Sequence, residues 1–141
     1  MIIKEYQLNE VIKKGSYPPF LLFFGPNEGL IRDDILKICS SFKEDLEIDE
    51  ITINGKALDE NYSLIDEEIR SFSMFSEKKI IHLENLKEKH LQYFENQKIE
   101  NDKILVIIKS DNLNKSSKIR NFFEKHKRYA AIPCYEDDMR S

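Results

Sequence analysis

The chain has 141 residues, of which 40% are hydrophobic, 34% charged and 11% aromatic, and its net charge is −4. That length suits one domain with its own core, and the apolar content excludes a disordered tail. Four Gly and four Pro exclude collagen-like and Pro-rich classes, and an acidic domain of this size is not a general binder of polyanions. No apolar run approaches the ~18 residues a membrane helix needs, and the start of the chain has no signal-peptide core, so no membrane contact is expected. Cys39 and Cys134 lie far apart among apolar neighbours. This predicts two reduced, buried thiols in a cytoplasmic protein, with no metal and no cofactor.

In chain order, a short helix over Gln7–Lys14 closes at Gly15 before the Pro18-Pro19 break. A strand follows at Phe20–Phe24. Ile31, Ile35, Ile38, Cys39 and Phe42 then mark one helical face, with Asn27 as N-cap. The strand Ile48–Ile53 carries Asp49, Glu50 and Thr52, which suits an edge position. Leu64, Ile65, Ile69 and Phe72 form a second helical stripe before the strand Lys79–Leu83. Leu86, His90, Tyr93 and Phe94 form a third, before the strand Ile104–Ile108. Ile119, Phe122 and Phe123 form a fourth, on a helix that Asn114 or Ser116 would cap, before the strand Tyr129–Ile132. Alternating strands and helices predict a three-layer α/β domain with a five-stranded, mostly parallel sheet. Phe20–Phe24 and Ile104–Ile108 are apolar on both faces, as central parallel strands require.

Charge is uneven. Lys43–Glu68 holds ten acidic residues and two lysines, whereas Lys115–Arg128 holds six Lys/Arg against Glu124. The basic segment has two readings: a solvated helix face, or a nucleic-acid surface through Lys115, Lys118, Arg120 and Lys125. The chain ends on Glu136-Asp137-Asp138-Met139-Arg140-Ser141, which reads as a linker to something further.

The turn after the first strand, Gly25-Pro26-Asn27-Glu28-Gly29-Leu30-Ile31-Arg32, stands where an α/β protein holds phosphate on a helix N-terminus. A GxxxxGK[ST] loop counted from Gly25 would need glycine, lysine and a hydroxyl where Leu30, Ile31 and Arg32 stand. Glu28 adds a negative charge. The position fits a phosphate loop and the chemistry does not, so no nucleotide is expected, although an atypical nucleotide-binding loop is the rival reading. The third strand ends in Glu84-Asn85, where Glu84 has a magnesium-ligand position and Asn85 cannot act as a base. His82, His90 and His126 do not cluster with Cys or acid at ligand spacing. No nucleophile–base motif is present, so no catalytic residue is assigned.

Ser71-Phe72-Ser73-Met74-Phe75-Ser76 frames a Met–Phe pair in a short connection. Either the pair folds under the loop onto the core, or it is a plug for a partner's groove.

Pro19–Ile31, Phe72–Leu83, Ile104–Ile108, Lys115–Glu124 and Ala131–Tyr135, in that order, resemble the N-terminal domain of the delta subunit of the bacterial DNA polymerase III clamp loader. The resemblance implies a P-loop NTPase-like (AAA+-like) domain over residues 1–135, with 136–141 as the start of a linker to missing C-terminal domains. It implies a protein that binds and opens the beta sliding clamp without hydrolysing ATP. On that view it is not an enzyme by itself but a subunit of a DNA-directed DNA polymerase holoenzyme, a nucleotidyltransferase. Partners would be the clamp, the gamma/tau and delta prime subunits and, through the full complex, DNA. The clamp-binding pair falls on Met74 and Phe75, with Phe72 and Ser73 beside it. Met at the first place departs from the family's usual Leu but is similar in volume.

Overall fold

The computed structural model describes residues 1–44, 48–71, 78–95 and 102–135. Five strands, β1 (Phe20–Phe24), β2 (Ile48–Asn54), β3 (Lys78–Glu84), β4 (Ile104–Lys109) and β5 (Ala130–Pro133), form one sheet in the order β2-β3-β4-β1-β5. The sequence predicts a mostly parallel sheet; every described strand pair is parallel. The acidic strand β2 takes the edge, as its alternation requires.

Among the described residues six helices flank the sheet: α1 (Glu5–Lys14), α2 (Glu28–Lys43), α3 (Gly55–Glu60), α4 (Leu64–Arg70), α5 (Leu91–Glu95) and α6 (Lys118–Lys125). The pleat of β1 divides its side chains between two cores. Phe20, Leu22 and Phe24 face α3 to α6, whereas Leu21 and Phe23 face α1 and α2. In β4, Ile104, Val106 and Ile108 join the first core, and Leu105 and Ile107 the second. Two apolar cores on opposite faces of one sheet make the three layers. Phe94 anchors the first, edge-on to Phe20 at 5.0 Å and to Phe123 at 5.6 Å.

Local chemistry sets the helix ends. Asn27 Oδ1 accepts from the Leu30 N–H at 3.1 Å, as an N-cap should. The cap of α6 is Ser117, whose Oγ accepts from the Arg120 N–H at 3.2 Å, rather than Asn114 or Ser116. Asn114 instead turns the preceding segment by accepting from the Ser116 N–H at 3.0 Å. α3 has no apolar stripe long enough to be read from sequence. It begins on the Asn54 cap and on Gly55, where a Cβ would stand 2.0 Å from the Asn85 carbonyl oxygen. The third stripe is broken: Glu88–His90 is a 3₁₀ turn, and only Leu91–Glu95 is α-helical. His90 is buried; its Nδ1 accepts from the Lys87 N–H, which leaves the ring proton on Nε2 to be donated to Asp59 Oδ1 at 2.8 Å. The Met1 ammonium donates to the carbonyls of Phe123, His126 and Tyr129, each at 2.6 Å, and so closes the C-terminal end of α6.

Candidate functional site

In a parallel sheet of this order, β1 connects toward one side and β4 toward the other, so the crevice beyond their C-terminal ends is the natural ligand position. The turn after β1 lies there. A phosphate loop presents free N–H groups; here they are used by the protein. The Gly25 N–H points to the Asp111 carbonyl at 3.4 Å, and the Asn27 N–H donates to the Cys134 carbonyl at 3.2 Å. The Leu30 N–H is taken by its own cap. Gly25 has φ 137°, and a Cβ on it would stand 2.1 Å from the Cys134 oxygen, so this glycine serves chain crossing. Ile31, at the lysine position, is buried in the α2-side core, Leu30 is half-buried and Arg32 is exposed. Gly29 lies inside the first turn of α2.

Glu84 ends β3 as expected and, with Glu28 and Asp111, borders a cavity that Lys87 and Lys109 also line. Three carboxylates around it make a poor seat for a polyphosphate.

Phe72, Ser73, Met74 and Phe75 lie outside the described residues. Their flanks are defined. Ser71 caps α4, and Lys78 opens β3, at the end of the sheet opposite the Gly25 turn. Lys79, only 2% exposed, holds this junction: its Nζ donates to Glu68 Oε1 at 2.9 Å and to the Ser71 carbonyl. Lys78 Nζ donates to the Phe42 carbonyl at 2.8 Å, so both lysines stitch the start of β3 to neighbouring helices.

In the basic segment Lys115, in the turn before α6, and Lys118 and Lys125, on the helix, are exposed. Arg120 is drawn inward: its Nε donates to Glu124 at 2.9 Å, its Nη1 to the Leu113 carbonyl at 3.0 Å, and its guanidinium lies 5.0 Å from the Phe24 ring centroid.

Two clusters were not visible in sequence. On the α1/α2 side, Asp34 is buried and Cys134 Sγ donates to its Oδ2 at 3.5 Å. Burial, and then a hydrogen bond with Asp34, push the Glu5 carboxyl up to about 8. On the same face, near the β2 edge, Cys39, Glu50 and His82 bring one donor atom each within 4.8 Å of one another. His82 and Glu50 are 3.2 Å apart, and Lys43 Nζ holds the other Glu50 oxygen at 3.1 Å. Burial raises the Glu50 pKa, but the His82 and Lys43 hydrogen bonds outweigh it and leave the carboxyl below its ordinary range. Burial, then Glu50, push the Cys39 thiol up to about 11. Both cysteines are free and buried, as predicted. The only sequence signal for the second cluster was polar residues on otherwise apolar elements, since its members lie on three separate elements.

A family model described as DNA polymerase III, delta subunit, matches residues 21–133. In fold, the chain is similar to the Bacillus subtilis DNA clamp loader delta protein (YqeN), with a TM-score of 0.60 and 13% identity, covering 93% of this chain and 42% of that one. It is also similar to the crystal structure of Saccharomyces cerevisiae RIF2, with a TM-score of 0.51 and 13% identity, covering 94% of this chain and 56% of that one. The chain thus spans about half the length of these structures. No curated protein sequence matches it. Among the described residues, no helix is long and apolar enough to cross a membrane.

Proposed function

Because the chain belongs to the DNA polymerase III delta-subunit family, we propose that it is the clamp-binding module of a clamp loader and that it has no nucleotide chemistry of its own. The observation that carries the second half is the turn after β1. The N–H groups of Gly25, Asn27 and Leu30 are hydrogen-bonded within the protein, and the lysine position is filled by a core isoleucine. The module is AAA+-like in this reading, works as a non-catalytic subunit beside the gamma/tau and delta prime subunits, and meets DNA through the assembled complex.

The engagement is a plug. Met74 and Phe75 enter an apolar pocket on the beta sliding clamp, with Phe72 and Ser73 beside them, and contacts next to the pocket strain a ring interface until it opens. A Met–Phe pair fits this task because phenylalanine is a large rigid anchor and methionine adapts to an irregular pocket. The Lys79–Glu68–Ser71 junction supports the reading, since it ties together the described residues on either side of 72–77.

Size-exclusion chromatography of the chain with its cognate sliding clamp tests this directly. The wild type should co-elute with the clamp. Met74→Ala/Phe75→Ala should lose the complex, each side chain contributing about 2–4 kcal/mol as interface hot spots do. A double mutant that binds as tightly as wild type refutes the plug. A fluorescent ATP analogue should not bind; micromolar binding would favour an atypical nucleotide site. The exposed Lys115, Lys118 and Lys125 favour one further reading, direct DNA contact, for which affinity for duplex DNA should fall steeply with salt.

A further inference from the structure

We propose that Cys39, Glu50 and His82 form a binding site for a zinc-class divalent ion, which ties α2 to the edge strand β2 and its neighbour β3. Strand register puts two of the donors on one face. Glu50 pairs with Ile80, and His82 follows Ile80 by two residues, so both project from the same face of the sheet. Ile80 and Cys39 both belong to the core between that face and α2. Three elements therefore converge on one point, each offering a different donor: a thiol sulfur, a carboxylate oxygen and an imidazole nitrogen.

The donor set and the spacing both fit. Sulfur with nitrogen and oxygen is the mixture zinc accepts, at bonds of about 2.3 Å to sulfur and about 2.0–2.2 Å to nitrogen and oxygen. Donors in a tetrahedral site of that size stand roughly 3.3–3.7 Å apart. His82 and Glu50 are already 3.2 Å apart, and all three donors lie within 4.8 Å, so closure needs only a side-chain adjustment of about an ångström. Cys39 is 5% exposed, while the side chains of His82 and Glu50 are 21% and 33% exposed. The site therefore has a dry wall on the α2 side and an entry from solvent at the sheet edge. Three protein ligands leave a fourth position for water.

Binding is balanced as a simple exchange. The thiol proton leaves to solvent and a sulfur lone pair forms the metal bond. The Nε2 proton that His82 shares with Glu50 passes through solvent to Nδ1, which frees the Nε2 lone pair so that the ion takes the place of that hydrogen bond. Lys43 remains on the other carboxylate oxygen and fixes its orientation, as outer partners of metal ligands do. Nothing in this argument depends on the clamp-binding reading.

The test uses the whole chain stripped with a chelator, then titrated with Zn²⁺ against a chromophoric competitor and, separately, with Co²⁺. One ion should bind per chain, and the Co²⁺ form should show a near-ultraviolet thiolate-to-metal charge-transfer band. Cys39→Ser and His82→Ala should each weaken Zn²⁺ at least tenfold and Cys39→Ser should abolish the band, whereas Cys134→Ser should change neither. Should Cys39→Ser fail to fold, the partly exposed Glu50→Gln gives the same reading, with a loss of at least tenfold in Zn²⁺ affinity. Absence of one-to-one binding at micromolar Zn²⁺, absence of the band, or an affinity unmoved by these substitutions overturns the proposal.

Discussion

Alanine at Gly25 should cost the fold about 3–5 kcal/mol, while alanine at Gly29, four residues on, should cost nothing. The first figure has two sources. A φ of 137° is nearly closed to L side chains, which contributes about 1–3 kcal/mol. The new Cβ would also stand 2.1 Å from the Cys134 oxygen, so β5 must move away from the turn. That movement strains the bonds from the Asn27 N–H to Cys134 and from the Cys134 N–H to Phe24, at 3.2 and 2.7 Å, worth about 1 kcal/mol each. Gly29 lies in the first turn of α2, and its Cβ would meet only Asn27 Oδ1, at 3.6 Å. Alanine there gains up to about 1 kcal/mol of helix propensity. Urea unfolding of the two variants, followed by circular dichroism, measures both numbers. A Gly25→Ala loss under 1 kcal/mol, or a Gly29→Ala loss above it, would refute the view of this turn as a chain crossing.

Lys79→Ala should destabilise by about 3 kcal/mol, because it strips the partner from Glu68 and leaves the Ser71 carbonyl unmet. Lys79→Met should recover only the packing share of that; a Lys79→Met variant as stable as wild type in denaturant melts would contradict a polar role. Glu5 gives a pH signature. Its pKa is raised from 4.5 to about 8, so its contribution is full below pH 4.5 and fades as pH climbs through 8. Glu5→Gln should therefore remove a downward slope in thermal midpoint between pH 5 and 8, amounting to about 1–2 kcal/mol after screening of a partly exposed group. A wild-type midpoint that is flat over that range would remove the basis for the claim.

The sheet was readable because its strands obey simple patterns. Phe20–Phe24 and Ile104–Ile108 are apolar on both faces and proved central, and the acidic Ile48–Asn54 proved to be the edge. α2 was readable from one uninterrupted stripe and an asparagine cap. α3 was not, because six residues starting on glycine show no period, and its place depends on a close approach to Asn85. The choice of Ser117 over its neighbours is likewise tertiary: all three residues can cap, and the approach of α6 to the sheet selects one. At the candidate sites, the failed phosphate loop was legible residue by residue, since Ile31 is wrong for that chemistry wherever it points. That its N–H groups are filled by Asp111 and Cys134 was not, because those partners come from the far end of the chain. The Cys39–Glu50–His82 cluster was hidden for the same reason. Spacing rules detect ligands that share an element, and these three share only a face.

The position of β1 has a consequence for synthesis. Phe20 meets Val106, and Leu21 meets Ala130, so both neighbours of the most apolar strand are made roughly 80 to 110 residues after it. A ribosome adding about 5–20 residues per second leaves that strand without partners for roughly 5–20 seconds. During that interval Phe20-Leu-Leu-Phe-Phe24 is an uncharged, proline-free β segment, the composition that favours self-association. A truncation before Ile104, which removes both neighbours, would make that passing exposure permanent. The recovery of this chain from cells should thus depend more on how fast β4 and β5 emerge than on the stability of the finished sheet.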